Sequence, residues 1–117
     1  MDEQQFKMRT KQLGLRVIRL VHALPKNPTG EVIGKQLLRS AISVGANYRA
    51  ACRGRSRADI IAKLGLVEEE LDETLYWMEL MVESGMIFQA KLKDLMPEAN
   101  EILAMTVASI KTLRSRK

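Results

Sequence analysis

Arg16 and His22, with five residues between them, are the pair in this chain best suited by type to act on a phosphate. An imidazole that titrates near neutrality can exchange a proton while a guanidinium clamps a charged oxygen. A two-residue pattern also arises easily by chance, and a histidine facing solvent or capping a helix end is the simpler reading. His22 is the only histidine, so a di-metal bundle, which needs Glu-x-x-His motifs from its helices, lacks its ligands. Glu70 and Glu73 are then read with Arg39, Ser40, Asn47 and Tyr76 as an inter-helix polar network. Such a network has the residue types of a site, but buried polar groups more often set helix register and partner choice. Cys52, also single, has no histidine near it in the expected topology and reads as a small boundary residue. No catalytic residue, metal or cofactor is expected.

The basic residues are the stronger signal. Residues 1–57 hold 12 Lys/Arg against 3 Asp/Glu, residues 58–90 hold 1 against 8, and residues 91–117 hold 6 against 3, within an overall net charge of +5. Arg9, Arg16 and Arg19 follow helical spacing near the start, while Arg49, Arg53, Arg55 and Arg57 crowd one turn. These seven are the candidate contacts to RNA or DNA, because each phosphate neutralised releases counterions. The alternative is that they pair with Glu68, Glu69, Glu70, Glu73 or Glu83, within a subunit or between subunits. No aromatic stacking platform accompanies the charge, so sequence-specific readout is not expected.

The elements that must carry these residues are helices. The chain has 117 residues, 46% of them apolar but only 4% aromatic, with Pro and Gly few and clustered, a balance that favours helix over sheet. A single domain over 1–117 is expected, all-α, as an up-down-up-down antiparallel four-helix bundle with helices at about 6–24, 30–51, 57–84 and 89–113. The inner stripes are Phe6, Leu13, Val17, Leu20 and Leu24, then Ile33, Leu37, Ser40, Val44, Asn47, Tyr48 and Ala51. They continue with Ile60, Leu64, Val67, Leu71, Leu75, Met78 and Val82, and close with Leu95, Ala99, Ile102, Thr106 and Leu113. The second stripe is small enough, at Ser40, Ser43, Gly45, Ala46 and Asn47, to admit another backbone closely.

Local signals set the ends. Thr29 is an expected N-cap, Gly54 suits a left-handed position after the second helix, Ser56 with Asp59 resembles a capping arrangement, and Gly85 ends the third helix. An Asp94 N-cap would put Pro97 in a tolerated first turn; an earlier start would kink the helix there. On the third helix, Leu66, Trp77 and Leu80 lie nearly opposite the core stripe, and covering them by self-association is the expected oligomer interface. No apolar run reaches the roughly 18 residues of a membrane span, and the polar, acidic start is unlike a secretory leader, so a soluble cytoplasmic protein is expected.

The run Gln36-Leu37-Leu38-Arg39-Ser40-Ala41-Ile42-Ser43-Val44-Gly45-Ala46-Asn47-Tyr48-Arg49-Ala50-Ala51 resembles the signature of a bacterial four-helix bundle family. That family is related to proteins encoded in intervening sequences of 23S ribosomal RNA genes. The turn 53–59 and the segment 72–79 extend the likeness over nearly the whole chain. One departure is Ala50, where the family often has Glu. The family is similar in fold to the accessory proteins of diversity-generating retroelements, pentameric barrels with basic surfaces that bind nucleic acid. The resemblance therefore implies a homopentameric ring.

The leading functional expectation is a non-enzymatic homo-oligomer that contacts RNA or DNA through its basic surfaces, with no membrane or small-molecule partner. A protein-binding adaptor whose charges serve assembly is the alternative. A remote one is a metal-independent ribonuclease using Arg16 and His22, since the pair meets the bare spacing of an Arg/His motif in a class of helical ribonucleases, although Val17 is apolar where that motif prefers a polar residue.

Overall fold

Each long helix but the last begins where a side chain takes over an orphan backbone donor. In the computed structural model, which describes residues 2–116, α1 spans Glu3–His22, α2 Pro28–Cys52, α3 Arg57–Glu83 and α4 Leu95–Ser115, with a 3₁₀ turn at Gln89–Leu92 before α4. The Asp2 carboxylate accepts the Gln5 N–H at 2.8 Å while the Gln5 side chain accepts the Asp2 N–H at 3.2 Å. This reciprocal box starts α1 ahead of the position that apolar spacing alone implies. The same helix stops at His22, because the residue before Pro25 is disfavoured in helical geometry and the last N–H groups bond three residues back.

Asn27, not Thr29, caps α2. Its side-chain oxygen accepts the Gly30 N–H at 2.8 Å, and Pro28 follows at the first helical position, where a missing N–H costs nothing. Ser56 caps α3 by accepting the Asp59 N–H at 3.1 Å, and the Asp59 carboxylate reaches back to the Arg55 N–H at 3.1 Å. Gly54 is not left-handed; among the described residues only Gly85 has positive φ, at 78°. Gly54 is small for another reason: a Cβ there would lie 2.4 Å from Ile60 Cγ1. At the end of α3, the Met86 N–H reaches the Met81 carbonyl and the Gly85 N–H reaches Val82, a Schellman closure that only a left-handed residue completes readily. Asp94 precedes α4, with Pro97 in its first turn, but its side chain makes no capping hydrogen bond.

The four helices form an all-α bundle in which each packs against the next, and α4 also touches α1. The bundle measures 51 × 20 × 20 Å. Leu13, Val17, Leu37, Val44, Val67, Leu71, Met78, Met81, Leu92 and Ile102 are fully buried in its main core. On α4 the inner stripe ends at Ile110, leaving Leu113 partly buried. A smaller cluster of Ala51, Leu64 and Ile110 closes one end, where the termini of α2, α3 and α4 meet. Phe6 stacks on Tyr48 with ring centroids 4.5 Å apart, which ties the start of α1 to the end of α2. No helix among the described residues is long and apolar enough to cross a membrane.

Helix α2 is thin where it meets its neighbours. A Cβ on Gly14 of α1 would stand 3.7 Å from Ile42 Cα, and one on Gly45 would stand 3.5 Å from the Thr10 carbonyl oxygen. Toward α3, the fully buried Ser40 and Thr74 bond through their hydroxyls at 3.0 Å, and each also reaches a carbonyl on its own helix, Leu37 at 3.1 Å and Glu70 at 2.7 Å. Whichever hydroxyl donates to the other, both are satisfied, so the pair costs little in a dry interface.

Two glycines separate close packing from open space. Gly30→Ala puts a Cβ 2.5 Å from the Pro25 carbonyl oxygen and is expected to destabilise by roughly 1–3 kcal/mol. Gly65→Ala meets nothing within 4 Å inside α3 and is expected to stabilise by about 0.5–1 kcal/mol through helix propensity. Urea unfolding midpoints that shift in opposite directions are the expected result.

Candidate functional site

The arginines singled out by sequence do not form one surface. Arg9, on α1, reaches across to α4: its Nε donates to Glu98 at 2.9 Å, a terminal nitrogen bonds the other Glu98 oxygen, and Nη1 donates to Glu101 at 3.2 Å. This fork is the polar clasp between α1 and α4, so Arg9 serves the fold. The Arg9 guanidinium holds the Glu98 carboxyl below the usual carboxylate range, with Arg16 adding a weaker pull.

Arg39 plays the same part between α2 and α3, pairing with Glu70 at 3.2 Å and with Glu73. Glu73 also accepts the Trp77 indole N–H at 3.2 Å. The expected polar network thus divides into this outer ion-pair cluster and the inner Ser40–Thr74 hydroxyl pair. Asn47 and Tyr76 stand outside both: Asn47 is partly buried with no side-chain hydrogen bond among the described residues, and Tyr76 packs edge-on to Trp77 at 5.2 Å. Glu70 and Glu73 face a cation that already occupies them. Thr74 was missed from sequence, where it sits among residues of the core stripe and reads as filler.

Six positions on a 3.6-residue helix set Arg16 and His22 about 120° apart. Arg16 is partly buried, His22 ends α1 exposed, and neither makes a side-chain hydrogen bond among the described residues. The pair does not converge on one point. Cys52 lies half-buried beside Tyr48, and burial, followed by Glu3, pushes its thiol up and away from the reactive thiolate. Burial likewise raises the Tyr48 phenol.

On α3, Leu66 is exposed, whereas Trp77 and Leu80 are partly buried and Trp77 packs against the core. Tyr76, 54% exposed, contributes more outward surface than the indole does. The outer face of α3 is therefore a ridge of Leu66 and Tyr76 edged by the exposed Glu69, Asp72, Glu79 and Glu83.

Three of the remaining candidates lie at the end of the bundle closed by Ala51, Leu64 and Ile110. Arg53, Arg55 and Arg57 occupy the α2–α3 turn, all exposed. The Arg57 guanidinium donates to the main-chain carbonyl of Arg116, which brings the α4 terminus, with Arg114 and Arg116, beside that turn. None of these five makes an ion pair among the described residues. That Arg114 and Arg116 lie beside a turn 57 or more positions away in sequence is a consequence of packing. Arg49 points elsewhere, to the rim of a groove between α1 and α2, and Arg19 is exposed on α1.

The family model for 23S rRNA-intervening sequence proteins matches residues 2–108. Among solved structures, a Bacteroides thetaiotaomicron protein of unknown function from the S23 ribosomal protein family superposes with a TM-score of 0.87 at 32% identity, over 95% of this chain and 99% of that one. A comparison with curated proteins gives no match.

The clasp between α1 and α4 carries a pH dependence. Because the folded Glu98 titrates below its unfolded value, its contribution is complete above the ordinary carboxylate range, roughly pH 4–5, and is lost as pH falls through the folded pKa. Glu98→Gln is expected to cost about 1 kcal/mol at pH 7, with the difference from the parent shrinking toward pH 3 in thermal unfolding followed by circular dichroism.

Proposed function

The chain belongs to the 23S rRNA-intervening sequence protein family, and on that premise we propose a non-enzymatic, self-associating bundle that holds RNA or DNA by the arginines at one of its ends. The observation that carries this reading is the Arg57–Arg116 bond, which sets the turn bearing Arg53, Arg55 and Arg57 beside the α4 terminus bearing Arg114 and Arg116, with no ion pair to a carboxylate for any of the five among the described residues. Exposed guanidinium groups gathered at one end of the bundle suit a phosphate backbone, since each contact releases condensed counterions. The other strong arginines, Arg9 and Arg39, are already spent on carboxylates.

Consecutive helices in contact support an up-down-up-down antiparallel course. The half-exposed Leu66 and Tyr76 support assembly into a homo-oligomer, and the resemblance noted above favours a pentameric ring. In a ring the basic ends recur around the axis, so phosphate contacts multiply without new chemistry. The protein is proposed to work in the cytoplasm and without a cofactor. The raised Cys52 thiol, the carboxylates occupied by Arg39 and the divergence of Arg16 from His22 favour binding over catalysis.

The test is a salt titration of binding to a fluorescent RNA oligonucleotide. Affinity is expected to fall steeply with salt, and Arg53→Ala/Arg55→Ala/Arg57→Ala is expected to reduce the logarithmic slope by about 2–3 while leaving the helical spectrum unchanged. Binding that ignores salt, or that the triple variant retains in full, overturns the reading. Sedimentation of the intact chain at micromolar concentration is expected to return the mass of several subunits; a single-subunit mass overturns self-association.

A further inference from the structure

Between α1 and α2, on the side away from the core, runs an open groove of about 660 Å³. Its apolar lining comes from Met8, Leu15 and Ile18 on α1 and from Ile42 and Ala46 on α2, over a floor that includes Gly14 and Gly45. Met8, Leu15 and Ile42 are 65%, 39% and 47% exposed. The close approach of the two backbones at the glycines makes the channel: with no side chain to fill the seam, the flanking long residues stand as its walls. Lys7, Lys11 and Arg49 sit at the rim, and no carboxylate lines it, although Lys7 lies 3.9 Å from Glu3 just outside. An apolar channel edged by cations asks for an apolar helix face edged by anions.

The same chain owns such a face. Leu66 and Tyr76 project from α3 with Glu69, Asp72, Glu79 and Glu83 exposed around them. The one cation of the acidic segment, Lys63, is taken up by Asp59 at 2.7 Å. Neither surface suits itself. Groove against groove sets lysine on lysine, and ridge against ridge sets carboxylate on carboxylate, each a repulsive pairing at close range. Groove against ridge matches charge and covers the exposed Met8, Leu15, Ile42, Leu66 and Tyr76 together.

We infer that the α1/α2 groove of one subunit receives the α3 ridge of a second copy, in a head-to-tail interface. The inference rests on the self-association proposed above and deepens it by naming the receiving surface and the symmetry. Because the two mating surfaces differ, the contact is heterologous: every subunit offers one free groove and one free ridge until the assembly closes on itself.

A mixing experiment tests it. Lys11→Glu/Leu15→Glu spoils only the groove and Leu66→Lys/Tyr76→Lys only the ridge; all four positions are exposed, and Met8→Glu/Lys11→Glu is a second groove variant should the first lose its helical spectrum. By sedimentation velocity, each folded variant alone is expected to fall to the mass of one subunit. An equimolar mixture of one groove variant and one ridge variant is expected to form a species of two subunits and no larger, because the only intact groove and the only intact ridge lie on different chains and are consumed by one contact. A folded groove variant that keeps the parent's mass overturns the pairing while leaving self-association intact. So does a mixture that stays at one subunit, or a groove variant that loses RNA binding at unchanged mass. A parent chain that is itself a single subunit overturns the self-association reading and this one with it.

Discussion

Everything in this bundle depends on the narrowness of α2. That helix touches both α1 and α3, and it does so with Gly45 and Ala41 on one side and Ser40 on the other, so two neighbours approach it closely at once. Small contact residues shorten the distance between axes and increase dispersion contacts along the seam. The hydroxyls of Ser40 and Thr74 make this compatible with burial, because each finds a partner within the interface. The same narrowness opens the outer groove, since a seam without side chains cannot be filled from within.

Electrostatics then divides the arginines by position. Arg9 and Arg39 lie where another helix brings carboxylates within reach, and both become clasps. The arginines of the α2–α3 turn lie at an end where α4 contributes Arg114 and Arg116, and among the described residues no carboxylate forms an ion pair with any of them. A net charge spread over the chain says little about such a division, because a salt bridge needs contact distances of a few ångströms while the charge balance of a segment is indifferent to distance. Packing thus removes Arg9 and Arg39 from the basic surface and leaves the turn arginines on it.

The acidic α3 also acquires a definite role from packing. Its inner side carries Leu64, Val67, Leu71, Thr74, Leu75, Met78 and Met81 into the core, and Trp77 is drawn partly inward by its contacts and its bond to Glu73. The outward surface is left to Leu66 and Tyr76 among carboxylates. An amphipathic pattern read at 100° per residue overstates how far an indole at the boundary projects, because a large ring can bend back over the neighbouring helix.

Four helices, their order and nearly all of their buried faces were legible in the sequence, because apolar periodicity, Ser56 as a cap and Gly85 as a stop act within a few residues of one another. Local competition between Asn27 and Thr29, and the reach of Asp2 to Gln5, moved the helix ends by a turn or less. The fate of Arg9, the partner of Ser40, the reason for Gly54 and the meeting of Arg57 with Arg116 were decided only in the tertiary structure. Each depends on residues 30 or more positions apart, or on the space between two elements, and a helical wheel shows which way a side chain faces but not what packing brings to meet it.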